Sequence, residues 1–414
     1  MEGGSNKNCV LLYAGIIFIF SGIFLLPYPI RREIILAWSN RTFFWGICWL
    51  SWIGFLILLV KRQWMFRTKI DWIFVGLPLL ALVLLAYNIL RNGQSVGFII
   101  LYSSCCVFPL YFLFIRFDES CCINLIKVFL LLLDISVVIA VIWAVIDTSF
   151  DKIILRQIAP IMRHSPDFMS FAYPEFADND RFYSLWGHPV FNATIFNMFY
   201  VLNISYEQSG KKGILPSWLV CLISLVGVGC CGSKTGIVVV IFITLLAFYR
   251  NKRLLIVAGI GLIAVFISGL GGTILTRFLT QPLTTGRAGA LKALLLDKSF
   301  HFSLFNGYGD TGIAVEKGYN AAFEFPLIKF SFMYGIVFAV IILGTFLVFV
   351  TYKLCRKKTI KLWLFWGLIF AEVNTYSTFA EDKDNFMIFC IFTMILLNIG
   401  RIYNKKLKQI LFSS

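Results

Sequence analysis

The sequence predicts an all-α, polytopic membrane protein with about twelve transmembrane helices and two large outer loops. Three observations predict it. Hydrophobic residues make up 59% of the 414 positions and charged residues only 14%, against roughly one-quarter charged in an ordinary soluble domain. Apolar runs approaching the length of a bilayer-spanning helix, about 20 residues, recur along the whole chain. Lysine and arginine gather in short connections between alternate runs, as basic residues do on the cytoplasmic side of a membrane.

The apolar runs lie near 9–30, 42–60, 70–90, 95–115, 123–147, 186–206, 215–231, 235–249, 254–272, 326–351, 360–378 and 385–400. The first is too long for a secretory leader and no small-residue cleavage site follows it, so it reads as a span. The seventh and eighth are short and separated only by Gly232, Ser233 and Lys234, which predicts a tight hairpin. With the N-terminus inside, about twenty basic residues fall in cytoplasmic segments and about six in the short outer connections, so both termini face the cytoplasm.

That orientation places two long connections, 148–185 and 273–325, on the outer face, inside a single integral membrane domain covering 1–414. They carry mixed charges, and long loops usually carry function. Within the second, Gly286 to Lys298 sets Ala288, Leu291, Leu294 and Leu295 at helical spacing, which predicts a short amphipathic helix at the membrane surface.

The net charge of +16 does not signal nucleic acid, because the basic residues are split among short clusters between spans. Eleven cysteines fall mostly inside apolar runs, with none in the long loops and no C-x-x-C pair of metal spacing, so they read as small apolar side chains. GVGCCGSKTG at 227–236 departs from the phosphate-binding loop in its glycine–lysine spacing and follows no strand. H-E-x-x-H and G-x-S-x-G are absent, which removes the usual zinc and serine hydrolases. Asp134 and Glu372 lie inside spans, as members of a thin relay or as polar contacts between helices.

The residues that can carry chemistry sit in outer segments. RFYSLWGHP ends the first long loop, and a helical reading sets Arg181 and His188 about two turns apart on one face at the membrane surface. Arginine suits phosphate through its two parallel donors, and histidine changes protonation near neutral pH; interfacial anchoring is the competing reading. Lys234, at the outer end of the short hairpin, faces either headgroups or a diphosphate, or simply stops a span. In the second long loop Arg277 and Arg287 are candidate diphosphate ligands and Glu316 a candidate proton acceptor, each with a solvated surface charge as its plain alternative.

Taken together these features resemble the O-antigen ligase and polymerase superfamily. The resemblance rests on Arg181 with Gly187-His188-Pro189 entering a span, on the basic turn Ser233-Lys234-Thr235-Gly236, and on Gly286-Arg287 followed by an apolar helix and Gly307-Tyr308-Gly309. Ligases of the group are similar in a His-Asn pair ahead of the span after the second loop, where this chain has Tyr319-Asn320. Tyrosine, with a pKa near about 10, is a poor base at neutral pH. The departure points to the Wzy-type polymerase branch.

The resemblance implies a metal-independent glycosyltransferase of the bacterial inner membrane with two periplasmic loops. It would move a growing glycan from undecaprenyl diphosphate to the next lipid-linked repeat, in O-antigen or capsule synthesis. Arg181, Lys234, Arg277 and Arg287 would stabilise the departing diphosphate, with His188 or Glu316 as the base. The implied partners are the lipid-linked oligosaccharide, membrane lipid and a chain-length regulator, with no cofactor and no nucleic acid. A ligase to lipid A core and a non-enzymatic flippase of lipid-linked oligosaccharide are the alternatives.

Overall fold

The computed structural model describes residues 3–38, 46–61, 69–165, 167–173, 181–267, 279, 286–356, 359–374, 380 and 383–412. Among these the chain is helical, with one isolated β-bridge between Ser184 and Gly187. Five helices are long and apolar enough to cross a membrane, or six if a pair bent by 83° is counted as one span. The chain is therefore an all-α membrane protein.

The helices, in order, are α1 (Gly3–Phe20), α2 (Tyr28–Trp38), α3 (Trp49–Val60), α4 (Lys69–Arg91), α5 (Val96–Tyr102), α6 (Cys122–Ser149), α7 (Ile153–Ile158), α8 (Asp167–Ala172) and α9 (Pro189–Gln208). They continue with α10 (Ser217–Cys231), α11 (Lys234–Phe248), α12 (Lys252–Ile267), α13 (Arg287–Leu296), α14 (Gly312–Glu316), α15 (Pro326–Tyr334), α16 (Ile336–Leu354), α17 (Ile360–Val373) and α18 (Asn385–Phe412). Each of the twelve apolar runs contains a helix. Several are short: α3 has 12 residues and α10 and α11 have 15 each, or about 18–22 Å at 1.5 Å per residue.

The run expected to form one span over 9–30 is broken. A π-turn at Ser21–Leu25 ends α1, and α2 leaves at 83°. Pro27 and Pro29 explain the stop, since proline lacks an amide donor and disfavours helix in the residue before it. The run over 326–351 is likewise divided: α15 stops at Gly335 (φ +91°), which lies against the backbone of Leu304 and Phe305, and the span begins at Ile336.

α9 is the axis of the bundle, buried from Phe191 to Tyr206 and packed on α6, α10, α11, α17 and α18. It carries Asn192, Asn197 and Asn203, which lipid would penalise and whose amide N–H groups protein acceptors take up. Asn203 donates to Asp134 of α6 at 2.8 Å and Asn197 to Glu372 of α17 at 2.9 Å. Both intramembrane acids are thus hydrogen-bonded to one helix.

Side-chain bonds between connections sort into two ends of the bundle. At one end Lys353 pairs with Asp71 at 2.7 Å, Arg401 donates to the Phe117 carbonyl at 2.8 Å, and Lys361 to that of Ala247 at 3.2 Å. At the other end the residues after α1 meet the first long loop and the start of α18, and the α4–α5 turn meets the second long loop. The second long loop folds there into a small unit of its own, with Leu294, Phe300, Ala314, Phe323 and Phe332 at its centre.

Candidate functional site

Three stretches far apart in sequence line an open cleft with a cavity volume of about 120 Å³. Tyr28 and Arg32 come from the start of α2, Ser165 and Asp167 from the first long loop, and Lys383 and Asn385 from the start of α18. Tyr183, Trp186 and His188 complete it from the segment leading into α9.

Its back wall is an ion pair. The Arg31 guanidinium donates to both carboxylate oxygens of Asp384, at 2.8 and 2.7 Å, with both side chains buried. Its Nη1 also donates to the carbonyls of Gly22 (3.2 Å) and Leu26 (2.8 Å), which the break after α1 leaves without helical partners. One side chain therefore closes a broken helix and ties it to α18. On the opposite flank Glu33 accepts from the backbone N–H of His164 at 2.7 Å and meets its ring Nδ1 at 2.8 Å, holding the first loop to α2.

The segment 181–188 is not helical, as the spacing of Arg181 and His188 had suggested, but a tight turn. Pro189 opens α9 and Gly187 takes φ +107°, so the helix cannot extend backwards. Asn192 fixes the turn: its Oδ1 accepts from Ser184 Oγ at 2.8 Å and its Nδ2 donates to the Gly187 carbonyl at 3.1 Å. Trp186 Nε1 donates to the Phe24 carbonyl at 3.2 Å.

His188 caps α9, its Nδ1 accepting from the Val190 N–H at 3.3 Å. With Nδ1 accepting there, the neutral tautomer of the ring carries its proton at Nε2, a donor toward the cleft. Arg32 and Lys383 add two cations to the lining, with Lys383 Nζ 5.7 Å from the Tyr28 ring centroid. Asp384 is spent on Arg31, which leaves Asp167 as the cleft's other carboxylate. The floor is apolar: Ile23 and Ile388 are shared with a second hollow between α1, α6, α9 and α18, lined by Phe24, Phe129, Leu133 and Met198 among others. A cationic, aromatic mouth over an apolar floor suits an amphiphile with an anionic head.

Of the six residues singled out by sequence, His188 lines this cleft. Arg181 stands behind it: Nε donates to the Cys231 carbonyl at 2.9 Å, beside a Phe182 N–H to Cys230 carbonyl bond of 2.9 Å, so the segment caps the C-terminus of α10. Tyr183 borders both the cleft and the small hollow that Arg181 lines. Lys234 is the buried first residue of α11, next to the cap Ser233, whose Oγ accepts from the Gly236 N–H at 3.1 Å. Asn197 links the same turn to Glu372 by donating to the Gly236 carbonyl at 3.2 Å.

Arg287 and Glu316 belong to the second-loop unit, away from the cleft lining. Arg287 is paired with Glu324, and Glu316 is exposed at the end of α14. Arg277 lies outside the described residues. In that unit the Tyr319 hydroxyl donates to Asp297 at 3.1 Å. Hydrogen bonds from Ser299, first its hydroxyl and then its backbone N–H, hold the Asp297 carboxyl at about 2, while lost hydration and then the carboxylate push the Tyr319 phenol up.

Arg32, Lys383, Tyr28 and Asp167 were missed. A signal existed for the cations: Arg31, Arg32 and Lys383 are among the few basic residues that the expected topology leaves in short outer connections. Among the described residues no three His, Cys, Asp or Glu side chains gather as a metal site would need. Compared with known proteins, the chain matches no family model, no curated protein and no solved structure.

Proposed function

We propose that this chain is a polymerase of lipid-linked polysaccharide repeats, working at the outer face of the bacterial inner membrane through twelve spans with both termini cytoplasmic. The observation that carries the reading is the cleft, where Arg32, Lys383 and His188 stand with three aromatic rings above an apolar floor. Its walls come from connections that the basic-residue bias assigns to the outer side and from the span ends that adjoin them. The sorting of contacts supports that topology as well, since Asp71 with Lys353 and Phe117 with Arg401 pair segments assigned to the inner side.

In this reading the lipid diphosphate of the donor sits against Arg32 and Lys383, which stabilise the charge that grows as it leaves. His188 donates through Nε2 to the same group. A hydroxyl of the incoming repeat attacks the anomeric carbon, the carbon–oxygen bond to the diphosphate breaks, and its electron pair stays on the phosphate oxygen. The hydroxyl proton passes to Asp167, the carboxylate the cleft offers. Tyr28, Tyr183 and Trp186 give apolar faces to the sugars. Arg181, Lys234 and Glu372 support the cleft from behind through the α10–α11 turn, and Arg287 acts in the second-loop unit.

Gel analysis of surface glycan from a deletion strain tests the activity. Core capped by a single repeat is expected. Bare core with long undecaprenyl-linked polymer outside would make the protein a ligase, and repeats held on the inner leaflet would make it a flippase. If Arg32→Ala and Lys383→Ala, separately and together, leave long chains intact in the complemented strain, the cleft is not the site.

A further inference from the structure

The second-loop unit has an outward face that its own core does not explain. α13 turns Leu294 into that core, with Ala290 and Leu291 packed against it. Its other side is also apolar: Leu295 and Leu296 are 57% and 70% exposed, with Ala288 and Ala293 beside them and Lys292 between. Leu304, Phe305 and Ile313, elsewhere on the unit, are each more than half exposed. A helix apolar all round is normally buried, and exposed apolar clusters mark a binding surface.

The height of this face relative to the membrane is fixed by its tether. The chain from α4 turns over Asn92–Ser95 into the span Val96–Phe114, and two spans joined by so short a turn place that turn at the membrane surface. Asn88, fully buried at the end of α4, donates to the carbonyls of Phe305 (2.9 Å) and Tyr334 (3.0 Å) and accepts from the Gly307 N–H at 2.6 Å. Asn92 adds a bond to the Gly307 carbonyl at 3.0 Å. The span α16 starts at the same level, its first amides bonded to Ser303 and Leu304. Leu304 and Phe305 therefore continue the lipid-facing flank that Tyr87 and Leu90 expose on α4.

We infer that the second-loop unit is seated in the headgroup and upper acyl layer of the bilayer, with the Leu295–Leu296 side of α13 and the Leu304–Phe305 turn in contact with phospholipid. Lys292, set between the two leucines, reaches outward to headgroup phosphate while its stem stays among the acyl chains. The occupant is phospholipid because the Leu304–Phe305 turn adjoins the exposed apolar flank of the span α4, and α13 belongs to the same unit. The inference rests on the membrane character of the chain and not on the transfer reaction.

Photo-crosslinking in native membranes tests it. A benzophenone amino acid is placed at Leu295, Leu296 or Phe305, with Lys317, bonded to Ser299 on the unit's polar side, as the control. After irradiation, peptides from the three apolar positions should gain the mass of one phospholipid, and the peptide from position 317 should not. Absence of the lipid adduct, its appearance equally from position 317, or adducts with a second copy or another protein in its place would overturn the assignment. Failure here leaves the glycan phenotype of the deletion strain untouched.

Discussion

Removing Asp384 should loosen the cleft before it affects any other part of the molecule. Asp384→Ala leaves the Arg31 guanidinium buried between the broken end of α1 and α18 with its charge uncompensated, and loss of one partner of a buried pair costs about 3–5 kcal/mol. Unfolding entropy of about 2.1 cal/mol/K per residue over 414 residues gives about 0.9 kcal/mol/K, so the melting temperature should fall by about 3–6 °C. Asp384→Asn should rank close behind, because its amide turns a donor toward another donor. A double-mutant cycle with Arg31→Met should return a coupling of about 1.5–3 kcal/mol. It will not restore full stability, since the carbonyls of Gly22 and Leu26 also lose Arg31. Thermal unfolding of the purified protein, followed by a thiol-reactive dye on its buried cysteines, measures all of these. Unchanged melting of Asp384→Ala, or a coupling below about 0.5 kcal/mol, would refute the pair as the tie between α2 and α18.

Gly307→Ala should unseat the second-loop unit, because a Cβ there would lie 2.2 Å from the carbonyl carbon of Met333; an overpacking cost of about 1–3 kcal/mol should appear as faster proteolysis and amide exchange around 303–310. The same unit should loosen in acid. The Asp297 carboxyl is held down at about 2, so its contribution is complete above the ordinary carboxylate range and fades as pH falls from about 4 through 2; Asp297→Asn should remove that pH dependence from the proteolysis rate. Arg32→Ala should cut glycan transfer by about 10²-fold with melting unchanged, whereas Arg181→Ala, which uncaps α10, should lower melting and transfer together. Equal melting of the two variants would mean that Arg181 has no capping role.

The apolar runs were legible because hydropathy is a local property, and each of them does contain a helix. Direction was not. The apolar run over 9–30 counts Leu25, Leu26, Tyr28 and Ile30 as one stretch, although Pro27 and Pro29 mark where the chain turns by 83°. α9 was legible as apolar but not as central: its three asparagines look like weaknesses in a span until Asp134, Glu372 and the Ser184–Gly187 turn are seen to be their partners. The hairpin at Gly232–Lys234 could be read directly, because the turn residues are themselves the signal.

The site was harder to read from the sequence. Arg31 and Asp384 are 353 residues apart, and no periodicity or motif joins them. What the sequence does contain is an anomaly. Basic residues in short connections cost least on the cytoplasmic side, and the orientation proposed above follows that bias. Six residues break it: Arg31, Arg32, Arg41, Arg91, Lys234 and Lys383. The structure puts Arg32 and Lys383 on the cleft, Arg31 in its wall and Lys234 in the turn behind it, whereas Arg91 ends α4 and does not line the cleft, and Arg41 lies outside the described residues. A residue retained against the topological bias is doing something the bias does not govern. The loop arginines most like phosphate ligands in sequence, Arg181 and Arg287, have side chains engaged with the Cys231 carbonyl and with Glu324. The residues set against the expected topology thus include both cleft cations, Arg32 and Lys383, together with Arg91, which the cleft does not use.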